Sequence, residues 1–177
     1  NFCLTAEMVE AAITPRSKVL VLINPNNPTG TVTPPEEVRR IAEVARKHDL
    51  IVISDEIYAR LTYGNHQVQP VAVLPGMAER TITLSGLSKA YAMTGWRIGY
   101  FAGPPDLIPA LAEINHAFAI STAAVSQHAA LAALTGPQDC VEEMRQIYDT
   151  RRRQLLAGLD AQGIPYAEPQ GAFYVYA

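Results

Sequence analysis

Two five-residue apolar runs, VLVLI at 19–23 and LIVIS at 50–54, constrain this chain most. Neither alternates with polar residues, so both read as buried strands, with 19–23 covered on both faces. Between them, Pro34 and Pro35 open a segment to about Lys47 in which Val38, Ile41, Ala42 and Ala45 recur at helical spacing, giving one apolar face. Strand, helix, strand is a βαβ unit, which implies parallel pairing and a right-handed crossover. TITL at 81–84 adds a third strand and IGYFA at 98–102 a fourth. The expected architecture is α/β, a three-layer fold with a mainly parallel sheet and flanking helices.

The rest of the chain supplies helices. Thr5 is placed to cap a short one, TAEMVEAAI, that ends near Pro15. Residues 107–118, 123–134 and 140–159 read as three more. The last has Met144, Tyr148, Leu155 and Leu159 on one face and the run Arg151, Arg152, Arg153 partly exposed. The segment 165–177 ends in AFYVYA, a strand with no visible partner. Residues 117–137 hold no Asp, Glu, Lys or Arg, but Ser121, Thr122, Ser126, Gln127 and His128 interrupt them. That pattern predicts a buried or interface helix and argues against a membrane span.

Half of the 177 residues are hydrophobic, enough for one domain with a core, and the net charge of −3 gives no argument for nucleic acid or an anionic membrane. Cys3 and Cys140 lie far apart, with no CxxC and no Cys/His cluster, which suggests a reduced, cytoplasmic protein without a zinc site. His48, His66, His116 and His128 show no ligand spacing, so no metal is expected.

The chemistry-bearing residues gather after the strands. Asn24 to Gly30, NPNNPTG, is turn chemistry directly behind the first strand; Asp55 and Tyr58 follow the second; Ser85, Ser88 and Lys89 follow the third. In open α/β sheets ligands bind outside the carboxyl ends of the strands. An acid, a phenol, an amide (Asn27), an amine, hydroxyls and the Arg97 guanidinium therefore converge on one edge. Lys89 stands out, because the chain has only three lysines and it is the one formal charge from 81 to 96. An amine in apolar surroundings loses hydration of its ammonium, and the neutral form is the one that condenses with a carbonyl. Each residue also has a plain structural alternative: Asn27 as a turn residue before Pro28, Asp55 as a cap, Tyr58 as loop packing, Arg97 as an ion pair with Glu56.

At NPNNPTG (24–30), SDEIY (54–58) and SGLSKAYAMTGWRIGY (85–100) the sequence resembles the class I and II aminotransferases, the fold-type I enzymes that use pyridoxal 5′-phosphate (PLP). Weaker likeness runs from LTAEMVEAAITP near the start to PQGAFYVY at the end. The resemblance implies that Lys89 holds PLP as a Schiff base and moves the substrate proton. It implies that Asp55 pairs with the pyridine nitrogen and that Asn27 and Tyr58 bond the phenolic oxygen. Arg97 and Ser88 would hold the phosphate. Some relatives carry a phosphate-binding Ser three residues before the lysine, where this chain has Gly86; Ser85 is a candidate substitute.

The same resemblance covers only the middle of the family pattern. It implies a piece of a longer protein, with 1–160 as the second half of the PLP-binding large domain and 161–177 as the start of a small C-terminal domain. The phosphate-binding loop upstream and the carboxylate-binding arginine downstream would lie outside it. Relatives are homodimers acting on an amino acid and a 2-oxo acid. Some aspartate-specific ones carry an arginine in the region of 117–127, which has no cation here. Competing readings are a PLP-dependent carbon–sulfur β-lyase on the same scaffold and the aminotransferase-like sensor domain of a transcription regulator.

Overall fold

The computed structural model describes residues 2–177. In chain order the elements are α1 (Ala6–Ala12), β1 (Val19–Ile23), α2 (Pro35–Lys47), β2 (Ile51–Asp55), β3 (Thr81–Gly86), β4 (Gly99–Ala102), α3 (Ile108–Ala119), α4 (Ala124–Thr135) and α5 (Asp139–Ala161). The sheet order is β1-β2-β3-β4. β1, β2 and β3 run parallel, and β4 returns antiparallel to β3. The fold is α/β with a mostly parallel sheet and flanking helices, as the sequence predicts.

The βαβ unit forms for the reasons the apolar pattern gives. Pro35 opens α2, Glu36 and Glu37 sit at its positive end and Arg46 and Lys47 at its negative end. Val38, Ala42 and Ala45 of its inner face pack with Leu22, Leu50, Val52, Val71 and Met77, and Ile41 packs with Ala6 and Val9 of α1. Val38, Ile41 and Met77 are no more than 2 % exposed, so each contributes about 1.5–3 kcal/mol of apolar burial. The Thr5 hydroxyl caps α1 by accepting from the Met8 N–H at 3.3 Å, and Glu10 ties α1 to Lys47 and His48 at the end of α2.

Four expectations need correction. Val19 and Val21 are 50 % and 54 % exposed, so β1 is covered on one face and not two: α2 shields the face of Leu22 and Val52, and the other face of this edge strand stays open. The AFYVYA segment forms no strand; it doubles back, with the Ala167 N–H donating to the Tyr176 carbonyl at 2.8 Å and single bridges at 62–171 and 167–176. On α5 the buried positions are Val141 and Leu156, while Leu155 is half exposed. Within this chain the charge-free 117–137 stretch is largely exposed, with Phe118 at 89 %, which removes the buried alternative and leaves the interface one.

Strand ends also shift. β2 begins and finishes one residue later than the apolar run, and β3 continues through Ser85 and Gly86 because β4 pairs there, Gly86 opposite Gly99. Within α5 the arginine run divides: Arg152 is mostly buried, bound to Asp149 at 2.8 Å and set over the Tyr63 ring, whereas Arg153 is exposed.

Candidate active site

All three polar segments leave the carboxyl edge of the parallel strands. Ile23, the last residue of β1, lies opposite Asp55, the last of β2, and Asp55 lies opposite Leu84 of β3. Side chains alternate along a strand, so Asp55 shares a face with Leu84 and Gly86. Ser85 points to the opposite face, where with Glu56, Tyr91 and Tyr100 it lines a separate pocket of about 210 Å³. Ser85 therefore lies on the face of β3 opposite to Asp55.

Loop 24–30 is built by its own side chains. The buried Asn24 donates to the Thr33 carbonyl at 3.3 Å and accepts from the Thr33 N–H at 3.0 Å. Asn26 accepts from the Thr29 hydroxyl at 2.8 Å. These two asparagines are structural. Asn27 is exposed, and its amide group has no hydrogen-bond partner among the described residues.

Tyr58 is only 3 % exposed. Its hydroxyl meets the Tyr174 hydroxyl at 2.6 Å. Burial above all, with the nearby Asp55 charge, pushes the Tyr58 phenol well above its ordinary range. One Asp55 oxygen accepts from the Ile57 N–H at 3.1 Å, an Asx-type turn that aims the start of this loop. The neighbouring Glu56 carboxyl is raised by burial, against the effect of Ser54, whose hydroxyl donates to it at 2.9 Å.

Lys89 is half-buried. Its Nζ stands 5.7 Å from the centre of the Tyr58 ring and 5.4 Å from that of Phe173, two rings set edge to face at 87°. Ring faces attract a cation but accept no full hydrogen bond. Among the described residues the amine has no carboxylate and no hydrogen-bond partner, so its N–H groups are uncommitted. Ser88 beside it is half-buried, also without a side-chain hydrogen bond among the described residues. Arg97 holds a left-handed backbone, φ 49° and ψ 50°, and among the described residues its guanidinium donates only to the Thr94 carbonyl at 3.0 Å. The suggested ion pair with Glu56 is absent among the described residues. Tyr58 thus stands beside Lys89 and feels the Asp55 charge, while Asn27, Ser88 and Arg97 make no side-chain hydrogen bond to Lys89 among the described residues.

Residues 169–174 complete the arrangement, and sequence reasoning missed them. The Gly30 carbonyl accepts from the N–H groups of Gln170 and Gly171, both at 2.8 Å, and the Gln170 side chain accepts from the Val32 N–H at 3.0 Å. A β-carbon on Gly171 would lie 2.7 Å from the Pro25 ring, so only glycine fits. On the other side Ala172 bonds Leu61 and Gln170 bonds Tyr63, backbone to backbone, and the Tyr63 hydroxyl donates to the Ala172 carbonyl. This clamp delivers Phe173 and Tyr174 to Lys89 and Tyr58. The signal for it was turn chemistry, Pro-Gln-Gly, followed by aromatics, a pattern that a strand reading overlooks.

The arrangement offers an uncommitted amine, a carboxylate with one bonded oxygen, a part-buried phenol pair and a fork of guanidinium donors. It suits a ligand with a carbonyl, a basic nitrogen and an anionic group. The family profile described as aminotransferase class I and II matches residues 1–177. The chain is 45 % identical over 172 residues to an aspartate/prephenate aminotransferase of Thermus thermophilus, covering 96 % of this chain and 44 % of that protein. It superposes on an aromatic aminotransferase of Pyrococcus horikoshii with a TM-score of 0.94, at 39 % identity, over 98 % of this chain and 47 % of the other. With a Thermus thermophilus aspartate aminotransferase crystallised with maleate the TM-score is 0.91 at 44 % identity, over 98 % and 46 % of the two chains. The chain spans less than half the length of the curated relatives it matches.

Proposed function

Because the chain belongs to the class I and II aminotransferase family, we propose that it supplies the cofactor-holding part of a PLP-dependent aminotransferase. The whole protein would move an amino group between an L-amino acid and a 2-oxo acid. The observation that carries this reading is the Lys89 amine, held in an aromatic corner without an anionic partner, next to a tyrosine that feels the Asp55 charge.

The residues fit PLP group by group. Lys89 would hold its aldehyde carbon covalently, and the released Nζ would carry a proton to and from the substrate α-carbon. Asp55 would keep a proton on the pyridine nitrogen through its second carboxylate oxygen. Tyr58 and Asn27 would bond the phenolic oxygen. Arg97, whose fork meets no carboxylate among the described residues, would grip the phosphate with Ser88. When bound, PLP supplies an electron sink for the charge left at the α-carbon. Phe173 and Tyr58 shield the amine from water on two sides.

The wider proposal keeps 1–160 as the second half of the large domain and 161–177 as the start of the small one. It includes a homodimer in the cytoplasm, consistent with the absence, among the described residues, of any helix long and apolar enough to cross a membrane. The names of the relatives put acidic and aromatic amino acids first among substrates to try.

Borohydride reduction of the full-length protein, followed by peptide mapping, tests the reading. The expected result is a reduced-PLP adduct on the Lys89 peptide together with amino transfer that depends on an added 2-oxo acid. An adduct on Lys18 or Lys47 instead, or none, overturns it.

A further inference from the structure

We propose that Tyr174 is a positioning residue for Tyr58: its hydroxyl donates to the Tyr58 oxygen and so turns the Tyr58 proton toward the ligand beside Lys89. This rests on the reading above, in which Tyr58 bonds the phenolic oxygen of the cofactor.

The geometry is one of proton accounting. The two phenol oxygens are 2.6 Å apart, joining residues 116 apart in the chain. Each phenol has one proton to give and lone pairs to receive. A single proton fills the contact between them, and in the isolated pair either residue can be its source. Once Tyr58 gives its own proton to a third group, only Tyr174 can fill the contact. Tyr174 then becomes the obligatory donor. A donor at the Tyr58 oxygen also polarises its O–H bond and strengthens the outward bond, the ordinary cooperativity of hydrogen-bond chains.

Tyr174 is held for this task from both sides. The clamp fixes the preceding backbone, with the Ala172 N–H on the Leu61 carbonyl at 2.8 Å. Its ring stands nearly perpendicular to that of Tyr58, with centroids 5.7 Å apart, and packs on Phe173 at 5.0 Å. Tyr58 is buried and its hydroxyl has no second hydrogen-bond partner among the described residues, so its proton has one fixed neighbour and one direction left.

Tyr174→Phe removes the hydroxyl and keeps the ring, with Tyr58→Phe as the reference variant, both in the full-length protein. In the PLP-free protein, NMR of ring-labelled tyrosine should show Tyr58, identified by its loss in Tyr58→Phe, ionising at higher pH in Tyr174→Phe than in the parent, because a donor at its oxygen stabilises the phenolate. With PLP bound, the pH midpoint of the visible absorption should rise in Tyr174→Phe by roughly half to one pH unit, the effect of one ordinary hydrogen bond, in the same direction as Tyr58→Phe. A packing role alone would move neither titration. Tyr58→Phe shifting the absorption while Tyr174→Phe leaves both titrations unmoved would overturn the positioning role only. No shift in Tyr58→Phe would overturn the placement of Tyr58 at the cofactor, and the role of Tyr174 with it.

Discussion

Gly86 and Gly99 meet across β3 and β4 so closely that a β-carbon on Gly86 would stand 2.9 Å from the Gly99 α-carbon and 3.2 Å from the Ile98 carbonyl oxygen. Both obstacles are backbone, which cannot swing aside as a side-chain tip can. Gly86→Ser, the residue that some aminotransferases resembling this chain carry there, is therefore expected to destabilise the full-length protein by about 1–3 kcal/mol. Urea denaturation midpoints measure this, and an unchanged midpoint contradicts the close approach.

Arg97 combines backbone strain with an uncommitted guanidinium. A left-handed conformation costs a non-glycine residue roughly 1–2 kcal/mol, and sites that hold such residues are often functional. Arg97→Gly should therefore raise the melting temperature of the PLP-free protein and weaken PLP binding about ten-fold or more, the loss of a charge-assisted hydrogen bond. Thermal scans and cofactor titration read the two effects separately. A lower melting temperature would refute the strain, and unchanged affinity would refute the phosphate role.

Glu56 makes stability depend on pH in an uncommon direction for a carboxylate. Burial raises its folded value above the ordinary 4.5, so between the two values the native state keeps a proton that the unfolded chain has released. Stability from this group is complete below 4.5 and is lost as pH rises through the folded value. Glu56→Gln retains an acceptor for Ser54 and removes the titration. Its denaturation midpoint should exceed the parent's at neutral pH, by a margin that shrinks as pH falls toward 4.5. A margin constant across that range would contradict the assignment.

The arginine run on α5 should respond unequally. Arg152 has 18 % of its side chain exposed, binds Asp149 and donates to the Pro169 carbonyl at 3.3 Å; Arg153 has 66 % exposed. Arg152→Ala leaves a partly buried Asp149 short of its partner and loosens the clamp, at a cost of about 2–4 kcal/mol. Arg153→Ala should change stability by less than about 0.5 kcal/mol. Equal effects in denaturant would show that Arg152 has no special role.

Short-range patterns made the fold readable. The helical spacing of Val38, Ile41, Ala42 and Ala45 matches the buried face of α2, and the apolar runs lie within a residue of β1 and β2. What a single segment cannot reveal is what covers it. The run 19–23 is apolar on both sides, yet one side is open in this chain. The shared edge of Lys89, Tyr58 and Asp55 was legible because Asp55 ends one strand of the parallel sheet and Tyr58 and Lys89 follow two of them. Phe173 and Tyr174 were not, since their placement depends on backbone contacts to Gly30 and Leu61, far away in the chain. Gly86 read as a departure from a family variant until the partner strand supplied the steric reason.

The bond between the Val32 amide and the Gln170 side chain links residues 138 apart. During synthesis the loop at 24–33 must leave the ribosome and wait for its partner 138 residues on. Contacts of such long range close late, after local helices and neighbouring strands have formed. A nascent chain halted ahead of residue 169 would carry its sheet with an unfinished rim, without the clamp that brings Phe173 and Tyr174 to Lys89 and Tyr58.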